Sequence, residues 1–495
     1  MSPRILIVAV SGDNYGDTVI RVCFNALLKV ALKNLSVNDY QITNAAIDET
    51  SKELIIAHDI IFFAGGGIIK YKYQSFYNRI DYITSIAEEY NIPVILSSVG
   101  VESYDENNDN CCILKNALQR TCVKSISIRD DLDSIKKYLP EIESDIPIVC
   151  DPAVWTQHVY GMGDKSEGNR KGPIGINVVR GGLFKDNEII WDKKAEMAFL
   201  KDLIDLLGQE NLDYRLFTNG CFLDDIFLND FCATYDIPNE NRAPQINDSQ
   251  ALVQEIESFS YLIAFRLHAS IIAFSLNIPS IAMAWNDKVS FFYQIIGFPD
   301  RVLSFKDWKA DVVFDRLNNL MQTNHIRLPH EDYYLSLYSY LVDCIKQYCS
   351  DCTHPPSSMQ VSSYQQIVEM LRADKESLST YNRFDINKKI LESERHYRAR
   401  MKEIAKRDNQ LSKLNKRVTD YEESLNAYKE QEFVFKMRIS ELERINNDKD
   451  ARIITMNAQI DKLNQIFILR CMNFMKRISR SVKRRISRLF RIKKH

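Results

Sequence analysis

From its first residues the chain alternates compact apolar runs with longer amphipathic stretches. Short runs rich in Val and Ile, bounded by Gly, Asp or Ser, read as strands buried in a parallel sheet, and the stretches between them as helices covering its faces. The pattern predicts strands at Arg4–Val10, Ile60–Ala64, Pro93–Ser97, Ser125–Ile128 and Pro147–Cys150, giving a first domain over residues 1–160. The polar stretch from Gly161 to Gly172, with four glycines, breaks the rhythm and predicts a linker at 161–173. The rhythm resumes at Ile174–Val179, Tyr214–Thr218, Tyr261–Ala264 and Ser280–Met283, with helices near Asp192–Leu207 and Ala269–Leu276. A second domain with its closing helices is therefore expected over 174–350. The class is α/β, with two similar domains facing a cleft, and ligands of open α/β sheets bind beyond the carboxyl ends of the strands.

The C-terminal third has a different grammar. The last glycine is Gly297 and the last prolines are Pro355 and Pro356, and the 139 residues beyond them contain neither. After a connector at 351–383, apolar residues recur at alternating steps of three and four: Leu411, Leu414, Val418, Tyr421, Leu425 and Tyr428, then Ile453, Met456, Ile460, Leu463 and Phe467. This predicts a long α-helical coiled coil over 384–464, interrupted around Asn446–Asp450, and hence a homo-oligomer. A long solvated single helix is the alternative. Residues 465–495 read as a basic amphipathic helix, with Cys471, Met475, Ile478, Val482, Ile486 and Leu489 at helical spacing.

Charge sharpens that division. The formal net charge is only −2, but residues 462–495 carry twelve Lys/Arg and no Asp/Glu, so positions 1–461 sum to −14. A cationic amphipathic tail fits an anionic membrane surface, its apolar stripe among acyl chains and its cations at headgroups. Nucleic acid is the rival partner, disfavoured by Met472, Phe474, Met475 and Phe490.

Composition excludes other classes. With 45% hydrophobic and 26% charged residues over 495 positions, wholesale disorder is ruled out. No apolar run reaches 18 residues, and Ile5–Val10 is too short for a signal sequence, so neither secretion nor membrane spanning is expected. Eleven scattered cysteines suit reduced thiols, and the expected location is cytoplasmic, peripheral on the inner face of the cell membrane. Cys344, Cys349, Cys352 and His354 are loosely zinc-like in spacing but lack a paired CxxC framework, so no metal site is assigned.

Three motifs sit where strands hand over to helices. Ser11-Gly12-Asp13-Asn14-Tyr15-Gly16-Asp17 comes directly after the first strand; a helix N-terminus there attracts anionic or hydroxyl-rich ligands, and a plain strand-to-helix turn is the alternative. Gly65-Gly66-Gly67 ends the second predicted strand, where bare backbone serves either a passing substrate or a tight crossing of chain on chain. Arg266-Leu267-His268 comes after Tyr261–Phe265, and strand alternation would place Arg266 and His268 on one side. Arginine offers a fork for carboxylate or phosphate and histidine carries protons near neutral pH; a salt-bridged arginine beside a capping histidine is the plainer reading. Arg180 and Lys288 add two more cations at strand ends.

In order and spacing, these pieces resemble the polysaccharide pyruvyl transferases. The matching residues are Asn14-Tyr15-Gly16-Asp17, Gly65-Gly66-Gly67, Ser127-Ile128-Arg129-Asp130, Asp151-Pro152, and Arg266-Leu267-His268 through Ala273, Ile278-Pro279, Ile281-Ala282, Lys288 and Gly297, spread over residues 4–305. The resemblance implies two Rossmann-like domains of GT-B-like arrangement, with phosphoenolpyruvate as donor substrate, no cofactor and no metal. Its acceptor would be a glycan or lipid-linked sugar, which receives the pyruvyl group as a ketal in cell-surface polysaccharide biosynthesis. It also implies that His268 and Arg266 are catalytic, that Arg180, Arg266 and Lys288 bind the donor, and that Asn14, Gly16, Asp17, Gly65, Gly66 and Gly67 line the cleft. A GT-B-type glycosyltransferase using a nucleotide-sugar and a non-catalytic coiled-coil scaffold are the competing readings.

Overall fold

In the computed structural model the described residues are 2–10, 14–72, 76–141, 145–163, 171–180, 184, 189–323, 330–349, 363–373, 414 and 450–491. The chain divides into two units, Met1–Asn382 and Arg383–His495.

The first unit contains two parallel sheets. The first comprises β1 (Arg4–Ala9), β2 (Gln41–Ala46), β3 (Ile60–Ala64), β4 (Val94–Val99) and β5 (Val123–Ile128), in the order β2-β1-β3-β4-β5. The second comprises β6 (Ile174–Asn177), β7 (Tyr214–Phe217), β8 (Tyr261–Ala264), β9 (Ser280–Ala284) and β10 (Val302–Ser304), in the order β10-β9-β8-β6-β7. Counted in each sheet's own chain order, the two topologies are identical. Each has its switch point beside its first strand, between β1 and β3 and between β6 and β8, where an open sheet leaves a crevice. The central strands β3 and β4 are buried at every position, which explains their unbroken apolar runs.

One expected strand is corrected, and two strands of the sheets went unpredicted. Pro147–Cys150 forms no strand; it makes one isolated bridge, Ile128 to Ile148, and Ile148 is exposed. The edge strand β2 escapes the apolar pattern because Gln41-Ile-Thr-Asn is polar and only its Ala45 and Ala46 are buried. The edge strand β10 is three residues long and offers too little pattern to read.

Helices wrap the first sheet: α1 (Tyr15–Asn34), α2 (Lys52–Ile56), α3 (Phe76–Glu89), α4 (Asp109–Leu118), α5 (Leu132–Tyr138) and the short α6 (Thr156–Val159). The second sheet is served by α7 (Lys193–Gln209), α8 (Phe222–Thr234), α9 (Ser249–Glu257), α10 (Leu267–Ser275), α11 (Asp287–Ile295) and α12 (Ala310–Gln322). Side-chain caps set several starts: Asn14 accepts from Gly16 N, Ser51 from Leu54 N, Asp131 from Ser134 N, Asp192 from Ala195 N and Asp248 from Ala251 N.

The helix α13 (Glu331–Tyr348), grouped with the second domain by sequence, crosses back onto the first. Tyr340 Oη donates to Ser125 Oγ at 2.8 Å, and Ser336 Oγ accepts from Cys150 N at 2.9 Å. Next comes α14 (Tyr364–Ala373), whose Tyr364 hydroxyl meets His158 Nε2 at 2.7 Å. One apolar core runs through both domains, from Ile5 and Ile7 through Phe24, Leu27 and Trp155 to Leu262, Ile272 and Leu341. Helix α1 is buried almost all round because it is covered by sheet on one side and by helices on the other.

Of the second unit, Leu414 and the helix α15 (Asp450–Arg491) are described. The heptad positions from Leu411 to Tyr428, other than Leu414, lie outside the described residues, as does most of the expected coiled coil. No described helix is long and apolar enough to cross a membrane.

Because the shared core and the returning helices close within the first unit, a chain ending at Asn382 is expected to fold by itself. Its near-UV circular dichroism per mole of chain and its urea midpoint should stay close to those of the full chain; a shifted midpoint would show that the second unit stabilises the first.

Candidate active site

The site grows from two helix starts. Asn14 caps α1 through its side-chain oxygen, 3.2 Å from Gly16 N, which places Gly16 and Asp17 in the first turn. Tyr15 N donates across to Asn219 O of the second domain at 3.0 Å. On the other side Arg266 is the N-cap residue of α10, and its backbone N donates to the buried Asn177 Oδ1 at 3.0 Å. His268 therefore lies in the first turn of a helix, and the strand alternation expected for Arg266 and His268 is corrected to a helix start.

That correction separates the two side chains' tasks. The Arg266 guanidinium turns to the fully buried Asp224, with Nη2 at 2.5 Å and Nε at 3.1 Å from Oδ2. The other oxygen of Asp224 accepts from the backbone N of Arg180 at 3.1 Å, so one carboxylate ties both positions. His268 meets Asp17 from the first domain, Nδ1 to Oδ1 at 3.7 Å. A Cβ at Gly16 would stand 2.5 Å from that of His268, so glycine is what lets the imidazole sit there.

Lys288, in the first turn of α11, reaches the first domain and pairs with Glu102. A Cβ at Gly67 would lie 2.6 Å from its ammonium. Gly65 and Gly66 answer to chain packing instead. Both adopt left-handed backbone, φ 61° and 79°, and added Cβ atoms would press on Ile20 and Val10. Of the three glycines expected to offer bare backbone to a substrate, two are thus explained by chain on chain, and the third by Lys288.

Sequence reasoning picks out Arg129, Asp130 and Asp151 only as pieces of a resemblance. The structure brings them to the same cleft. Buried Arg129 pairs with buried Asp151 and lies 3.7 Å from Asp130 Oδ2. These three line a small cavity with Lys288, Leu267 and Tyr333. Asp224, Glu102 and Asn177 carry no motif at all; a buried acid in an amphipathic helix is the only available signal for Asp224.

Electrostatics follows burial and pairing. Burial pushes the His268 imidazole down to about 4, assisted by Arg129, Lys288 and Arg266 and opposed by Asp17. Burial raises Asp130. Burial also raises Glu102, but Lys288 and Lys70 outweigh it and hold the carboxyl below its ordinary value. Glu196, on the first turn of α7, is pushed up to about 9 by burial and then by Asp224, and its Oε2 has no hydrogen-bond partner. Among the described residues no group of three or more His, Cys, Asp or Glu is placed to hold a metal. Cys344 and Cys349 are buried, burial pushing the Cys344 thiol up to about 11, while Cys352 and His354 lie outside the described residues.

A model of the polysaccharide pyruvyl transferase family matches residues 14–287. The chain belongs to that family. The match runs from Asn14, which caps α1, to Asp287, one residue before Lys288, and so spans both helix starts of the cleft. As a pyruvyl transferase by family, the protein is a transferase. No curated protein is similar enough in sequence to count as a relative. Solved structures similar in shape include a Staphylococcus aureus MnaA bound to UDP, at 11% identity and TM-score 0.47, covering 72% of this chain and 99% of that one. Another is the UDP-GlcNAc 2-epimerase of Methanocaldococcus jannaschii, at 8% identity and TM-score 0.43, covering 69% and 98%. A functionally uncharacterized Klebsiella pneumoniae protein is 18% identical with TM-score 0.34, covering 61% and 93%. The two-domain description rests on the sheets themselves.

Glu196 gives this pyruvyl transferase a measurable pH signature. Its folded pKa lies above the unfolded value, so the native state keeps a proton that the unfolded chain releases, and stability falls as pH rises from about 4.5 towards 9. Glu196→Gln should therefore stabilise the protein by roughly 1–3 kcal/mol at pH 8 and have little effect at pH 4.5, read from urea unfolding at both. An equal effect at the two pH values would mean that Glu196 is ionised in the fold.

Proposed function

We propose that the cleft binds phosphoenolpyruvate and transfers its pyruvyl group to two hydroxyls of a glycan or lipid-linked sugar as a cyclic ketal. The observation that carries this reading is that Arg129 of the first domain and Lys288 of the second line one small cavity with Leu267, which stands between Arg266 and His268 at the start of α10. Phosphoenolpyruvate presents a carboxylate and a phosphate, each of which is recognised by cationic forks and ammonium groups. Arg180, Arg266 and Lys288 are proposed as the donor-binding set, with Arg129 beside them. His268 is proposed to move the proton on which the chemistry turns, since C2 of the donor becomes electrophilic only when C3 is protonated. A sugar hydroxyl attacks C2, phosphate leaves, and the second hydroxyl closes the ketal. The positive charge this scheme needs comes from side chains, and no cofactor or metal is called for.

The test uses purified protein with phosphoenolpyruvate and cell-envelope glycans, following phosphate release and the ketal methyl signal by NMR. His268→Ala should reduce turnover roughly 10²–10⁴-fold with the fold intact, and Arg266→Ala should also raise the donor concentration needed. Nucleotide release from a nucleotide-sugar, with no phosphate from phosphoenolpyruvate, would replace this reading by glycosyl transfer.

We further propose that the enzyme works on the cytoplasmic face of a membrane, as a homo-oligomer held by the heptads of 384–464. In support, Ile460, Leu463, Ile466, Leu469, Met472 and Phe474 of α15 are 46–67% exposed, and eleven Lys/Arg occupy the chain from Arg470 onward. An anionic surface satisfies both features at about 1 kcal/mol for each cation near the headgroups. Full-length protein should float with anionic liposomes at low salt, and protein lacking residues 465–495 should not. Light scattering should show a smaller assembly once the chain ends at Asn382; an unchanged stoichiometry would remove the coiled coil from the account.

A further inference from the structure

The proposed reaction asks His268 for a proton, yet its surroundings favour a neutral ring. Arg129 acts on it from the loop after β5, Lys288 from α11 and Arg266 from the cap of its own helix, while Asp17 of α1 is the carboxylate that opposes them among the described residues. The positive end of α10 adds to the same side of the balance. Asp17 stands 3.7 Å from Nδ1, beyond hydrogen-bond length. The other nitrogen, Nε2, is buried with no hydrogen-bond partner, on a residue only 8% exposed. The carboxylates that neutralise the cations are directed at the cations: Asp151 and Asp130 at Arg129, Asp224 at Arg266, and Glu102 at Lys288. A ligand with three negative charges set among those cations would reverse the field at the imidazole.

We infer that phosphoenolpyruvate brings its own acid catalyst into being: as the donor binds, its negative charge draws one proton from solvent onto His268 Nε2, and that proton is the one later delivered to C3. This rests on the reading of phosphoenolpyruvate as donor. Asp17 stands on the Nδ1 side of the ring, which leaves Nε2 for the ligand. Without the donor, burial and the neighbouring cations hold the ring near 4, which keeps it unprotonated at neutral pH.

The step balances. A C3–H bond forms as the Nε2–H bond breaks, leaving C2 as the cationic centre. The first sugar hydroxyl adds to C2 and returns its proton to Nε2. The C2–O bond to phosphorus then breaks with its electron pair going to phosphate, and the second hydroxyl adds to C2. Its proton leaves on the phosphate, which departs as hydrogen phosphate. Two hydroxyl protons are consumed, one replacing that spent on C3 and one carried off by the leaving group. When products dissociate, His268 releases the proton it took up.

Isothermal titration of the full-length protein with phosphoenolpyruvate at pH 7.5, in Tris and in HEPES, measures this directly, because the two buffers differ in ionisation enthalpy. The wild type should take up about one proton more per donor bound than His268→Gln, since protons shed by the donor's own phosphate are common to both. An equal proton count in the two proteins overturns the inference while leaving phosphoenolpyruvate as donor. No binding to the wild type overturns the donor reading, and this inference with it. A second measurement does not depend on the variant: in protein with labelled histidines, the His268 resonance should titrate below pH 6 alone and above pH 7 with phosphoenolpyruvate. A midpoint that does not move overturns the inference.

Discussion

A cation brought into a dry cleft must arrive with its counter-charge, and the architecture of this site follows from that requirement. Removing one partner of a buried ion pair typically costs about 3–5 kcal/mol, because the other charge is left without solvent or mate. Here Arg129 has the buried Asp151 and Asp130 and Arg266 has the buried Asp224, while Lys288 reaches the partly exposed Glu102, a pair to which solvent screening leaves less of that cost. Each carboxylate is also built into something else. Asp151 accepts from Ala153 N at 2.8 Å and so starts the short turn Pro152–Trp155, whose indole lies in the shared core. Asp224 holds the backbone of Arg180. Glu102 belongs to the first domain while Lys288 belongs to the second, so their pairing ties one domain to the other.

The paired charges also say how far the sequence could be read. Most of the strands were legible, because buried parallel strands leave unbroken apolar runs such as Ile60–Ala64, whereas their order and the switch points beside β1 and β6 belong to the fold. Arg266, His268 and Lys288 were legible because each comes just after such a run. Their counter-ions were not. Asp224 sits 42 residues from Arg266 and Glu102 sits 186 from Lys288, distances at which pairing is a property of the fold alone. For the glycines at 65 and 66 the sequence left two readings open, a passing substrate and a tight crossing of chain on chain. Their need for bare backbone was visible in the sequence, but its cause, Ile20 and Val10 pressing close, lay in packing that no local pattern reveals.

The second unit poses the same physical question with the signs changed. Up to Asp461 the helix α15 carries both kinds of charge, and from Lys462 onward only one. Two such helices joined in parallel register would gain by covering Ile460 and Leu463, but from Arg470 onward they would bring like charges side by side. An apolar stripe lined with cations is relieved by a surface that offers acyl chains and anionic headgroups together, which a second copy of the helix does not. The proposed self-association would therefore fall to the heptads that end near Phe467, and the proposed lipid surface to the cationic turns from Arg470 to the end of the helix. In the proposed arrangement one continuous helix would serve both, the change of partner falling between Phe467 and Arg470, beyond the last acidic residue, Asp461.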